Sequence, residues 1–253
     1  FAHAALADPV HGKLRHDQRA ARTGFGLVEA SVQTTDVRID DWSLVLDADR
    51  YRTRIVSTAF QFELALTATR PPLLQGEAGV SRKGPRPGQA SFYYSRPHLA
   101  TEGTITLAGT RSSVRGSAWL DHEWSSEYVA PEATGWDWIG INLDDGGALM
   151  AFRMRHRNGG VFWAGGSIRD AQGGRRVLAP TEIAFEPLRT WRSPRTGVTY
   201  PVAMRVRVGD LELTLDPLMD DQELDARASV GTIYWEGAVR ALAGARAIGR
   251  GYL

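Results

Sequence analysis

The sequence predicts an all-β protein, built as two consecutive antiparallel barrels. Three observations carry that expectation. Short runs rich in β-branched and aromatic residues alternate between apolar and polar positions. Turn signals rich in glycine, aspartate and asparagine separate these runs at intervals of about 8–12 residues. No segment sustains a helical apolar period, and no glycine-rich phosphate loop follows a strand, so a doubly wound sheet is excluded.

The totals agree. A chain of 253 residues with 43% hydrophobic content can bury sizeable cores. Its net charge of +1 gives no electrostatic reason to expect nucleic acid as a partner. Cysteine is absent, which excludes disulfides, zinc–thiolate sites and cysteine nucleophiles. No apolar run approaches the roughly 20 residues of a membrane-spanning helix. Among 30 basic residues only Lys13 and Lys83 are lysine. The chain opens on Phe1 and closes on Gly249–Leu253 as if strands were already in progress. Both ends of a longer gene product are therefore expected to be missing, and targeting is not readable here.

In chain order, Phe1–Ala7 reads as a strand and Asp8–Gly12 as its turn. Residues 15–35 read as loop. Strands follow at Val37–Asp47, Arg50–Thr58 and Phe60–Thr69, with Pro71–Gly76 an edge or strand start. Ser81–Gln89 reads as an exposed loop. Ala90–Ser95, His98–Leu107 and Thr110–Trp119 are short strands. Further strands are Trp136–Leu143, Ala148–Arg155, Gly160–Arg169 and Arg175–Leu178, joined by hairpin signals at Asp144–Gly147 and Asn158–Gly159. Tyr200–Val208 and Leu211–Leu218 make another hairpin, and Ser229–Val239 and Ala247–Leu253 finish the chain. Asp221–Ala228 and Arg240–Gly244 allow at most a helical turn or two. These signals amount to about 16–18 strands, too many for one small barrel. Two barrels, residues 1–127 and 128–253, follow, with Glu127–Gly135 as the crossing.

Several phrases together are familiar: FAHAALAD at the start, FYYSRP (Phe92–Pro97), GSAWLDHEWSS (Gly116–Ser126), GWDWIGINLDDG (Gly135–Gly146) and IYWEGAV (Ile233–Val239). In this order they resemble the carotenoid 1,2-hydratase/AttH-like family over essentially the whole chain. The resemblance implies two lipocalin-like β-barrel domains in tandem, the first incomplete at its N-terminus, and an exported (periplasmic or secreted) protein. It implies no redox cofactor: the hydratases of this family add water to a C=C bond, and relatives cyclise apolar substrates. A His-x-Trp pair implicated in the hydratase site matches His122 and Trp124. The accompanying Tyr-x-Asp has no counterpart in Ala148–Met154, where Phe152 and Met154 flank Arg153, and that departure counts against carotenoid hydration itself.

The residues themselves point to the same place. Ser117–Trp138 holds Trp119, Trp124, Trp136 and Trp138 with Asp121, His122, Glu123 and Asp137 among them, the composition of a small-molecule pocket. On an extended strand, His122 shares a face with Leu120 and Trp124, while Asp121 and Glu123 share the other. His122 suits proton transfer near neutral pH, with Asp121 or Glu123 as a nearby carboxylate that moves protons with it; the alternative is a hydrogen-bonded histidine in a polar junction between barrels. Asp137 falls with Ile139, Ile141 and Leu143. It is either paired with an arginine or backbone N–H, the favoured reading, or a carboxyl of raised pKa able to act as a general acid. Tyr93, Tyr94, Arg96, Trp163 and Trp235 are further candidates for contact with an apolar ligand, with barrel packing as the plainer reading. No nucleophile elbow and no histidine-rich metal spacing is present. The expectation is thus a Trp-lined pocket for an apolar, lipid- or terpenoid-like molecule, without metal or cofactor. It serves a hydratase/lyase, isomerase or cyclase, or alternatively a non-catalytic carrier or sensor.

Overall fold

The computed structural model describes residues 1–126 and 130–253. Apart from one 3-10 turn at Pro180–Glu182, all regular structure among the described residues is strand. The first nine strands are β1 (Ala2–Asp8), β2 (Lys13–Arg19), β3 (Val28–Ala30), β4 (Asp36–Ile39), β5 (Trp42–Asp47), β6 (Arg50–Val56), β7 (Phe60–Thr67), β8 (Leu73–Leu74) and β9 (Val80–Arg82). Two long strands follow, β10 (Ala90–Leu107) and β11 (Thr110–Trp124). Then come β12 (Ala133–Leu143), β13 (Ala148–His156), β14 (Val161–Arg169), β15 (Arg175–Leu178), β16 (Ile183–Arg192) and β17 (Thr199–Val208). The chain ends with β18 (Leu211–Pro217), β19 (Glu223–Ala226), β20 (Thr232–Trp235), β21 (Ala238–Ala243) and β22 (Arg246–Tyr252).

Contacts divide the chain into two compact units, though not at 127/128. Unit 1 is Phe1–Thr69, Leu99–Ala118 and Asp221–Glu236; unit 2 is Arg70–His98, Trp119–Asp220 and Gly237–Leu253. The division is interleaved because β10 and β11 are long enough to give residues to both. The expected crossing at Glu127–Gly135 begins on residues outside the described ones, and Ala133 onward is already strand β12.

In unit 1 the antiparallel order is β11-β10-β7-β6-β5-β4-β3. Period two sorts its side chains: Tyr51 of β6 is buried while Arg52 and Arg54 stay exposed. Ile39, Trp42 and Phe60 form a buried cluster with Ala4 of the β1–β2 hairpin. The Trp42 indole donates to the Val56 carbonyl at 2.7 Å, satisfying its one polar group. Val37–Asp47 is two strands rather than one. Asp40, at φ 55°, turns the chain between them in the left-handed region that aspartate tolerates.

In unit 2 the order is β15-β14-β13-β12-β22-β21-β18-β17-β16. The sheet curls, so that β16 at its far end meets β13 and β14, which are not its hydrogen-bonded neighbours. On one face of β12 and β13, Ile139, Ile141, Leu149 and Ala151 have no exposed surface; a side chain the size of leucine or isoleucine gains roughly 1.5–3 kcal/mol from such burial. The opposite face of β13 is buried too, through Met150, Phe152 and Met154, which cluster with Tyr93 of β10. Burial on both sides explains the unbroken apolar run of Ala148–Phe152.

The strand β16 was not expected from sequence. It carries Pro187, yet β16 is an edge strand and its register shifts at Pro187, the two places a proline is tolerated. The turns expected at Asp221–Ala228 and Arg240–Gly244 contain β19 and the end of β21 instead. Ser81–Gln89 is not simply an exposed loop: Val80–Arg82 pairs with β10, and Ser81, Lys83 and Gln89 are buried.

Candidate functional site

Within unit 2, the segment 90–98 of β10 and 119–124 of β11 lie side by side. Phe92 meets Trp124, Tyr94 meets His122 and Ser95 meets Asp121, stepping in opposite directions as antiparallel neighbours do. The alternation of each strand then creates two chemically different faces.

One face is aromatic and open. Phe92 is 56% exposed and Trp124 49% exposed, and their rings stack with centroids 5.6 Å apart. His122 lies 5.0 Å from the Trp124 ring, and its Nδ1 is 2.9 Å from the Tyr94 hydroxyl. Among the described residues, the other ring nitrogen, Nε2, has no hydrogen-bond partner. In the neutral imidazole, two arrangements of the proton satisfy this geometry. Either the tyrosine hydroxyl donates to Nδ1 and Nε2 carries a proton, or Nδ1–H donates to the tyrosine oxygen and Nε2 is a free base. In both, Tyr94 fixes the ring and leaves Nε2 for a ligand. Arg96, two residues beyond Tyr94, shares this side of β10.

The other face is polar and crowded. The Asp121 carboxylate accepts from Ser95 Oγ at 2.6 Å, from Trp119 Nε1 at 2.8 Å and from the Tyr93 hydroxyl. Desolvation of the carboxylate among these neighbours pushes its pKa up to about 6, with nearby Glu123 adding to the rise and the three donors opposing it. The residue as a whole is nonetheless exposed, so the carboxyl is hemmed in by its neighbours without being sealed from water. Ser95 is itself held by Gln75 Nε2 at 2.8 Å, both residues fully buried. Tyr93, buried, accepts from Trp138 Nε1 at 3.0 Å, and burial together with Asp121 and Glu123 drives its hydroxyl well above the ordinary tyrosine value.

Glu123 accepts from Ser91 Oγ at 2.5 Å and pairs with Lys83 Nζ at 2.7 Å. That ammonium sits 4.0 Å from the centre of the Phe152 ring and 5.0 Å from Tyr93. Burial lowers the Lys83 pKa, and Glu123 and Asp121 act against the fall. Beneath this network Trp119 and Trp138 meet edge to face at 6.4 Å. Gly140 makes room for them, since a Cβ there would come within 2.5 Å of Trp138 and 2.9 Å of Trp119.

The residues singled out from sequence therefore separate. His122, Trp124 and Tyr94 gather on the open face. Asp121, Glu123, Tyr93, Trp119 and Trp138 gather on the polar face, with Trp163 in the same aromatic layer. Consecutive residues of an extended strand point opposite ways, so His122 and Asp121 cannot touch one small substrate together. Asp137 takes its paired reading: Arg153 Nη2 lies 2.5 Å and Arg155 Nη1 2.8 Å from its two oxygens. Trp136 is 59% exposed, and Trp235 belongs to unit 1. A cavity of about 630 Å³ does occur, but in unit 1, lined by Phe1, Ile39, Trp42, Ile55 and Phe62, and it shares no residue with Ser117–Trp138. Sequence reasoning missed Gln75, Lys83, Ser91 and Ser95. For Lys83 a signal existed, a rare lysine in a chain that otherwise uses arginine.

A family model described as AttH-like matches residues 1–253. The fold is also that of a crystal structure of a candidate AttH from Nitrosomonas europaea. That protein is 54% identical, with a TM-score of 0.94 over 99% of this chain and 78% of that one. Kievitone hydratase from Nectria haematococca is similar in fold at 20% identity, with a TM-score of 0.70 over 87% of this chain and 70% of that one. No curated protein matches by sequence.

Proposed function

Because the chain belongs to the AttH-like family, we propose that it is a cofactor-free acid–base enzyme of the hydratase/lyase, isomerase or cyclase type, acting on an apolar small molecule at the open face of β10 and β11. The observation that carries this reading is the 2.9 Å contact between Tyr94 and His122 beside the exposed Phe92–Trp124 stack. His122 is the proton carrier, Tyr94 orients it, and Phe92 and Trp124 hold the apolar substrate. In a hydration, protonated His122 gives its Nε2 proton to one alkene carbon. The cation left on the other carbon is steadied by the Trp124 face, and water adds there. The proton that water sheds returns to Nε2, so the imidazolium is regenerated. Proton transfer from a placed side chain contributes about 10²–10⁴-fold to rate. The fold shared with a hydratase supports this class without naming the substrate.

The test is native mass spectrometry on protein from its own host, followed by turnover of the released apolar ligand in H₂¹⁸O. His122→Ala should abolish conversion while keeping ligand retention, and Tyr94→Phe should lower the rate and shift its pH profile. Conversion unchanged in His122→Ala would sink the assignment. A second reading, a carrier without turnover, draws on the 630 Å³ apolar cavity of unit 1. Retention of an unchanged ligand by both the parent and His122→Ala, and its loss in Trp42→Ala, would select it.

A further inference from the structure

A second cavity of unit 1, about 1020 Å³, has a very different lining. Arg38, Arg50, Arg52, Arg54 and Arg115 surround it, against only Glu63 and Glu102. Strand β6 supplies three of these arginines at alternate positions, so they project from one face about 7 Å apart. This is the face opposite Tyr51 and the buried Trp42 cluster. Three of the five have carboxylate partners. Arg50 bonds Glu102 at 2.7 Å, Arg38 bonds Asp36 at 2.9 Å, and Arg54 lies 3.5 Å from Glu63.

Arg52 differs. Its cross-strand neighbours are Val45 and Ala65, which offer no charge. Among the described residues neither Arg52 nor Arg115 has an ion pair or a side-chain hydrogen bond. Arg50, moreover, keeps its Nε buried with no acceptor. Like charges side by side on a sheet destabilise it, and the chain as a whole carries only +1. The excess is therefore local, and it surrounds a concavity that also presents Ser43 and Ser113.

The geometry points to a binding site for a small organic polyanion, bearing two or more carboxylate or phosphate groups, held by forked guanidinium hydrogen bonds with Arg52 at its centre. The site belongs to unit 1, shares no residue with the His122–Tyr94 face of unit 2, and stands whether or not His122 is catalytic. Isothermal titration calorimetry with pyrophosphate and with citrate, each against sodium chloride at matched ionic strength, tests it. The expected result is saturable one-to-one binding of at least one of the two, and the stronger one identifies the anionic group. Arg52→Gln and Arg115→Gln should each weaken it about tenfold or more. Arg52→Lys, which keeps the charge but loses the fork, should fall between, and Arg240→Gln, outside the cavity, should bind like the parent. Circular dichroism checks that each variant is folded. Heats that follow ionic strength alone, or undiminished binding by Arg52→Gln, would overturn the proposal.

Discussion

Lys83 shows what one side chain contributes when its surroundings are narrow. A compact ammonium fits above Phe152 and Tyr93 while bonding Glu123; a planar guanidinium needs a broader slot. Lys83→Met should strand Glu123 with only Ser91 as a donor and cost about 2–3 kcal/mol, less than a fully buried pair because Glu123 keeps some exposure. Adding Glu123→Gln should recover most of that, a coupling measurable by urea unfolding of the double-mutant cycle. Asp121 makes a prediction about pH. Its folded pKa of about 6 lies above the unfolded value, so the folded state binds more protons between roughly pH 4 and 6. Its contribution is therefore complete below about pH 4 and is lost as pH rises through about 6. Wild-type stability should decline over that window relative to Asp121→Asn, shallowly because the residue is exposed; a constant difference between the two would refute the crowded carboxyl. Neither residue's partners were legible. The sequence separation between Lys83 and Glu123, or Asp121 and Ser95, hides contacts that only strand pairing creates.

At the scale of the strand, β11 was readable because period two needs no partner. That Asp121 and Glu123 face away from His122 follows from spacing alone. Asp137 was half readable. The Asp144–Gly147 hairpin sets the register that places Asp137 across from Arg153, but the second guanidinium, from Arg155, could not be assigned without the structure. The packing of Trp119 against Trp138 depends on the missing side chain of Gly140 as much as on the side chains present. Gly140→Ala should force Trp138 and Trp119 apart and cost about 1–3 kcal/mol as overpacking does. The checks are a lowered melting temperature and an altered near-ultraviolet tryptophan spectrum, and an unchanged spectrum would show that the indoles yield freely. Strand β16 went unread, and a proline such as Pro187 can only be reconciled with a strand once its edge position and bulge are known, which are properties of the sheet and not of the segment.

For the whole molecule, the all-β class and the family were legible from turn spacing and from the order of a few phrases. The compact units were not, because a linear reading assigns each residue to one side of a cut. Fragments 1–127 and 128–253, made separately, should each lack cooperative unfolding, since each unit draws on both. Made together, they should regain the parent's circular dichroism. Independent folding of either fragment would contradict the interleaved division. The scarcity of lysine also has a practical consequence. Of the two ε-amines in the chain, that of Lys13 is exposed and that of Lys83 is buried beneath β11. An acylating reagent thus has one permanently open target and one shielded target, and the ratio of the two labels, read peptide by peptide, becomes an internal clock for how often this part of the protein breathes.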